Sequence, residues 1–431
     1  MDHRLFAPTP PKGWNSWDCY GAAVTEEEIR GNAQYMAEHL LDSGWDTIVV
    51  DIQWSEPGAV SSHYRPFVPL VMDEYSRLMP AENRFPSSAN GAGFKPLADY
   101  VHSLGLKFGI HIMRGIPRQA VHQNTALLGT TQRARDIAST NSICPWNTDM
   151  YGIDASKEGA SAYYNSLFEL YASWGVDFVK VDDIAASRLY DAHLPEIALI
   201  QDAIQHSGRP MILSLSPGPA PLEHAGFFSN HANMWRMTDD FWDHWHLLLD
   251  MFDRCEKWQG KAGNGSWPDC DMLPLGHIGI RSVDGGGADR WTRFTKDEQV
   301  TMMTLWSIFR SPLFFGGELR DNDEWTLSLL TNRELNHMHE TSSNARLLRR
   351  KDAEVIWTAD GEDGSRYVAF FNIGETTITS SVDLSYYGWD KASYANVLNV
   401  WSGETADISD AIVSGPIAAH GAVLLKLTAK K

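Results

Sequence analysis

The chain lacks any apolar run long enough to cross a bilayer. Its apolar stretches are strand-length, such as Tyr367 to Phe371 and Ala422 to Leu425, against the roughly 20 residues a spanning helix needs. Basic charge is also scarce. With 36 Lys+Arg against 55 Asp+Glu, the 431 residues carry a formal charge of −19, and no basic run reverses the sign locally. Phosphate backbones and anionic bilayers are repelled, so neither a nucleic acid nor a membrane is expected as a partner. The first ten residues, MDHRLFAPTP, have neither a basic n-region nor an apolar core, and the expectation is a cytoplasmic protein. The four cysteines, Cys19, Cys144, Cys255 and Cys270, show no CxxC spacing, which argues against a zinc knuckle or a disulfide framework and for buried thiols. No GxGxxG follows a strand-like segment, so a doubly wound dinucleotide-binding sheet has no support.

What is present is a regular alternation. Eight short apolar segments, Lys12 to Trp17, Asp46 to Ile52, Leu106 to Ile112, Val176 to Asp182, Pro210 to Ser216, Met234 to Thr238, Trp267 to Asp271 and Leu313 to Gly316, read as strands. Segments of helical period lie between them, for example Ile29 to Leu41, Ala160 to Trp174 and Gln299 to Ile308. Eight strand-helix units predict an α/β fold, a (β/α)8 TIM barrel over residues 1–330, with an insertion between Arg114 and Asp154. Beyond the boundary the segments are short, β-branched and aromatic: Glu354 to Ala359, Tyr367 to Asn372, Thr377 to Val382, Val397 to Trp401 and Gly421 to Leu427. They predict a C-terminal antiparallel β-sandwich domain over residues 331–431.

In such a barrel the strand interior is filled by apolar side chains, and polar residues at strand C-terminal ends face the active site. Acidic residues recur at those ends: Asp51, Asp182 with Asp183, Asp239 with Asp240, and Asp269 with Asp271. Lys180 and Asp182 are two apart on one strand and share a face. A lysine beside a carboxylate favours the ionised form, which suits a nucleophile as well as a structural ion pair. Asp240 follows Arg236 by four positions, and two carboxylates facing each other across a barrel mouth are the minimum equipment for glycoside hydrolysis. Thr238 or Asp239 is expected to cap a helix ahead of Phe241. His111 ends the third strand, where a neutral imidazole reaches a sugar hydroxyl or stays structural. His244 and His246 form an HxH outside a strand, a weak metal signature. Trp14, Trp17 and Trp54 lie at the ends of the first two strands, where indoles stack on pyranose faces or pack in the core.

Four motifs in order carry a family resemblance: Gly13-Trp14-Asn15-Ser16-Trp17, Lys180-Val181-Asp182, Trp235 to Asp240 (WRMTDD) and Trp267 to Leu273 (WPDCDML). Together they resemble the α-galactosidase (melibiase) family, glycoside hydrolase family 27, along essentially the whole chain. The resemblance implies a retaining exo-glycosidase with Asp182 as nucleophile and Asp240 as general acid/base. Lys180, Arg236, Trp17 and Asp51 would contact the terminal sugar, with His111 and Asp271 as further candidate contacts. A small oligosaccharide or glycoside is the expected substrate, no metal or organic cofactor is implied, and a homo-oligomer is compatible with the sequence.

Two departures from the family pattern bear on the sugar. The strand that usually ends in paired aspartates reads Val50-Asp51-Ile52-Gln53-Trp54. Ile52 accepts no hydrogen bond, so a buried C6 hydroxyl facing it loses roughly 1 to 3 kcal/mol. L-Arabinopyranose has galactose's ring configuration without that group, which ranks β-L-arabinopyranosidase first and α-galactosidase next. Ser216 and its small neighbours stand where a bulkier pair is usual, which leaves room for a 2-acetamido group and makes α-N-acetylgalactosaminidase the third reading. A sugar-binding protein on a decayed barrel and a metal-dependent hydrolase are the alternatives from other classes.

Overall fold

The computed structural model describes residues 1–61, 63–187, 189, 191–282 and 288–430. All eight expected segments form strands: β1 (Lys12–Asn15), β2 (Thr47–Val50), β3 (Lys107–Met113), β4 (Phe178–Asp182), β5 (Ile212–Leu215), β6 (Met234–Arg236), β7 (Trp267–Asp269) and β8 (Leu313–Phe315). They pair in parallel in the order β7-β6-β5-β4-β3-β2-β1-β8. A parallel bridge between Leu273, just past β7, and Phe315 in β8 joins the two ends of the sheet. There Leu273 N donates to Phe314 O at 2.7 Å and Gly316 N to Leu273 O at 3.0 Å. The sheet is therefore the expected (β/α)8 barrel, and closure leaves no unpaired edge strand.

Strand periodicity sorts the side chains. Phe178 and Lys180 of β4, Ser214 of β5, Met234 and Arg236 of β6 and Asp269 of β7 line the barrel interior, around a void of only about 20 Å³. The interior is a packed core, so space for a ligand exists only beyond the strand C-termini. The turn that launches β4 is set locally. The helix Glu158–Trp174 stops at Gly175, whose φ of 86° suits glycine. Val176 N then donates back to Tyr171 O at 3.0 Å, and two residues on, the strand carrying Lys180 and Asp182 begins. The insertion after β3 folds as a small antiparallel sheet of Ile116–Pro117, Met150–Ile153 and Ala138–Ile143.

The chain groups into two compact units, one of Met1–Phe241, Asn264–Thr292 and Leu313–Asn322, the other of Trp242–Gly263, Arg293–Pro312 and Asp323–Lys431. The first holds the barrel sheet. The second holds the helices Trp245–Trp258, Lys296–Phe309, Glu324–Leu330 and Arg333–Thr341, and the C-terminal sheets. Its strands are β9 (Ser343–Lys351), β10 (Glu354–Asp360), β11 (Arg366–Asn372), β12 (Ile378–Asp383), β13 (Tyr394–Asn399), β14 (Thr405–Asp407), β15 (Ala411–Ile417) and β16 (Ala422–Ala429). They form an antiparallel sheet β9-β10-β11-β16-β13-β14 and a pair β12-β15. Ile356, Val368, Phe370, Val382, Ile412 and Leu427 from both sheets share one buried core.

Candidate active site

β2 delivers Asp51, which is 1% exposed and surrounded by donors. His111 Nδ1 lies 2.7 Å from its Oδ1, which also accepts from Ile52 N at 2.9 Å. Asn15 Nδ2 donates to Oδ2 at 2.8 Å, with Lys180 Nζ at 3.4 Å from the same oxygen. Burial pushes the Asp51 carboxyl upward, but the charges of His111 and Lys180 and these hydrogen bonds outweigh it and hold the group far below the usual carboxylate range. The same pairing acts in reverse on the cations: burial opposes their charge, and the Asp51 carboxylate raises both His111 and Lys180 above their ordinary values.

His111 and Lys180 are register partners on β3 and β4. The imidazole's other nitrogen, Nε2, lies 3.0 Å from Asp182 Oδ2. Burial raises the Asp182 carboxyl, yet the His111 contact and the positive charges of His111, Lys180 and Arg236 bring it below its ordinary value. The result is an ionised carboxylate whose side chain is 12% exposed, which is the state a nucleophile requires. Asp183, its neighbour in sequence, is removed from the site. Its φ of 54° turns the chain, and its carboxylate pairs at 2.9 Å with Arg114, which also holds Glu196 at 3.1 Å.

Facing this group is Arg236 at the end of β6. Its Nη2 donates to Asp240 Oδ1 at 2.7 Å and its Nη1 lies 3.2 Å from Asp271 Oδ1. Asp271, with a φ of 76°, accepts from Phe241 N at 2.8 Å through Oδ2 and thereby ties the segment carrying Asp240 to the end of β7. The Arg236 side chain is 4% exposed and that of Asp240 is 55% exposed, so one carboxylate of the site lies deep and the other at the mouth. Gly218 helps set that mouth, because a Cβ there would collide with the Thr238 backbone.

Ile52 is 3% exposed and packs with Met113, Cys144 and Met150, flanked by Trp17, Tyr64 and Trp146. The Trp17 and Tyr64 rings stack at 6.1 Å and Tyr64 and Trp146 meet at 5.4 Å. The insertion supplies Cys144, Trp146 and Met150 to this apolar wall beside Asp51.

Several sequence expectations change here. Of the two readings left open for His111, the structural one fits: both ring nitrogens face carboxylates, Asp51 and Asp182. Ser216 has no exposed surface, and its hydroxyl faces Val181 O at 3.5 Å, which presents no open polar group to a ligand. Trp14 and Trp54 are core: their indole N–H groups donate to Gly317 O and His111 O, both at 2.7 Å. Only Trp17 of the three keeps an exposed face. Neither Thr238 nor Asp239 caps a helix, since the next helix starts at Trp245 behind His244. Among the described residues no three His, Cys, Asp or Glu side chains converge as a metal site.

Sequence reasoning missed Asn15, although it lies inside a quoted motif, and the wall residues Cys144 and Trp146. It also missed Asp18. Its Oδ2 has no hydrogen-bond partner among the described residues, and burial together with Asp271 pushes its carboxyl far above the usual range.

Known proteins match this arrangement along its whole length. A family model described as Alpha galactosidase A matches residues 9–158 and 149–340, and one described as Alpha galactosidase C-terminal beta sandwich domain matches residues 351–427. A β-L-arabinopyranosidase of Geobacillus stearothermophilus, solved in complex with arabinose, is 64% identical with a TM-score of 0.98 over 100% of both chains. A Bacillus halodurans chain provisionally described as an α-N-acetylgalactosaminidase is 60% identical with a TM-score of 0.88, covering 98% of this chain and 97% of that one. Alpha-galactosidase A of Cellvibrio japonicus is 26% identical over 98% of this chain and 92% of its own. With both domains matched and the strand-end carboxylates in place, the chain belongs to the α-galactosidase family, glycoside hydrolase family 27, and is a glycosidase acting on carbohydrate.

Proposed function

We propose that this glycosidase releases terminal β-L-arabinopyranosyl residues with retention of configuration. Asp182 attacks the anomeric carbon as Asp240 protonates the departing glycosidic oxygen, which leaves a glycosyl ester on Asp182. Asp240 then takes a proton from water, whose oxygen attacks the same carbon and frees Asp182. The burial contrast supports this division of labour: the ionised carboxylate sits deep, where water is excluded, and the proton-exchanging one sits at the mouth. Lys180, Arg236, Asp51 and Asp271 are the charged groups that hold the glycone hydroxyls, and Trp17 offers its ring face.

The observation that carries the choice of sugar is the environment of Ile52. Met113, Cys144 and Met150 surround it, so a C6 hydroxyl brought against this wall finds no acceptor. The 64% identical β-L-arabinopyranosidase supports the same choice. The test is kcat/KM on nitrophenyl β-L-arabinopyranoside, α-D-galactopyranoside and α-D-N-acetylgalactosaminide. The arabinoside is expected to lead the galactoside by about tenfold or more, the equivalent of about 1.4 kcal/mol. A galactoside that is faster refutes the reading of Ile52, and a leading N-acetylgalactosaminide favours the specificity ascribed to the Bacillus halodurans chain.

A further inference from the structure

The insertion strand Met150–Ile153 has two working faces. Met150 packs against Ile52 in the apolar wall, while Asp149 and Tyr151, one position to either side, line a separate pocket of about 670 Å³. That volume is in the range of ligand sites, about 300 to 1,000 Å³. None of the carboxylates proposed for hydrolysis borders it.

Its walls combine aromatic faces with cationic donors. Arg118 lies over the Tyr151 ring at 4.4 Å and over the Phe67 ring at 5.1 Å. Its Nε donates to Thr148 O at 2.8 Å and its Nη1 to Tyr151 Oη at 3.2 Å. Arg135, also on the lining, donates to Val121 O at 2.9 Å and His122 O at 2.6 Å. Both guanidinium groups are thus held in place by neutral oxygens. The Arg118 charge acts on Asp149, and each guanidinium keeps N–H groups beyond the bonds named above. The pocket's own carboxylate, Asp149, is occupied by the Gln53 amide; burial raises it to about 6 against the charge of Arg118, so near neutral pH it is still mostly an anion, one carboxylate set against the two guanidinium groups. In a chain of net charge −19 this is a locally cationic cleft, with Gln123 and Thr140 adding neutral polar groups.

We infer that this pocket is a second carbohydrate site, specific for a sugar bearing a carboxylate, of the uronic acid class. Two planar guanidinium groups match a carboxylate's geometry, and the neighbouring hydroxyl, amide and aromatic groups match a pyranose ring. The site does not depend on the hydrolytic assignment, and its failure would leave that assignment standing.

The test is calorimetric titration of the full chain, saturated with L-arabinose to fill the catalytic pocket, with D-galacturonate, D-galactose and acetate as probes. Galacturonate is expected to saturate one site per chain. Galactose and acetate should each bind at least about tenfold more weakly, and added salt should weaken galacturonate. Arg118→Gln and Arg135→Gln should each cost about tenfold in galacturonate affinity, with hydrolysis of a nitrophenyl glycoside unchanged in the absence of galacturonate. Arg135 is exposed, so Arg135→Gln carries the test if Arg118→Gln fails to fold. Galactose binding as tightly as galacturonate overturns the requirement for charge, and acetate binding as tightly overturns the sugar. Unsaturable binding, or wild-type affinity in Arg135→Gln, overturns the site.

Discussion

Substituting aspartate for Ile52 gives galactose a partner that arabinose cannot use. The side chain is 3% exposed and lies against Met113, Cys144 and Met150. An acceptor at this point would pair the C6 hydroxyl of a galactoside, a gain of about 1 to 3 kcal/mol, or about 5- to 150-fold in kcat/KM at about 1.4 kcal/mol per decade. The substitution also has a cost common to both substrates. It removes an aliphatic side chain whose burial is worth about 1.5 to 3 kcal/mol, and it places a second carboxylate next to Asp51, whose Oδ1 already accepts from the residue 52 amide. Absolute rates and Tm should therefore fall, but the ratio of the two substrates cancels the shared loss. The assay is kcat/KM for nitrophenyl α-D-galactopyranoside over that for nitrophenyl β-L-arabinopyranoside, in wild type, Ile52→Asp and an Ile52→Val volume control. The ratio should rise about tenfold or more in Ile52→Asp and stay within about twofold in Ile52→Val. An unchanged ratio in a folded Ile52→Asp protein, or an equal rise in the valine control, would refute the hydrogen-bond argument.

Asp182→Ala should abolish turnover, and added azide should restore it with a glycosyl azide of inverted configuration, read by NMR; an azide product of retained configuration would reverse the roles of Asp182 and Asp240. Asp240→Ala should slow a glycoside with a poor alkyl leaving group far more than a dinitrophenyl one, and equal losses on both would exclude a general acid there. His111→Asn removes the contact and charge that lower Asp182 while its burial remains, so the acid limb of kcat/KM should move to higher pH; a limb that stays put contradicts the positioning role. Asp269 is raised to about 7 by burial, with Asp271 adding to the shift. The folded state then holds a proton that the unfolded chain releases near pH 4, so the contribution of Asp269 to stability falls as pH rises from about 4 to about 7. Asp269→Asn, scanned by Tm against pH, should flatten that decline, and parallel curves would sink the assignment.

The barrel was legible because its strands are apolar and bounded, and the Lys180-x-Asp182 alternation fixes which side chains face inward. Elements with mixed character were not legible. β9 reads SNARLLRRK, with too many charges to look like a strand, and β15 contains Gly415 and Pro416. The strand Tyr394–Asn399 overlaps the expected Val397 to Trp401 only at its end, because the aromatic Trp401 has strand-like character but follows the strand. The candidate site shows the same limit. Local pattern put an acid at each strand end, and alternation separates Asp182 from Asp183, but the partner that takes Asp183 away, Arg114, lies 69 positions from it in sequence. Trp14, Trp17 and Trp54 are equivalent in sequence terms, and only the packing around each indole tells platform from core.

The charge arrangement explains why the two halves of the reaction need different depths. Asp182 is surrounded by His111, Lys180 and Arg236, each of which lowers its proton affinity against the opposing effect of burial. A carboxylate so stabilised favours its ionised form, and its burial reduces solvent screening of its charge. Among the described residues Asp240 has one direct cationic partner, Arg236, which it shares with Asp271, and more than half its side chain is open. In the proposed mechanism a deep position would deny Asp240 the water it deprotonates in the second step, and a shallow Asp182 would be exposed to the same water as a competitor at the anomeric carbon. The pairing of Arg236 with both Asp240 and Asp271 couples this mouth to the end of β7, while the β3-β4 pair holds Asp182 through His111.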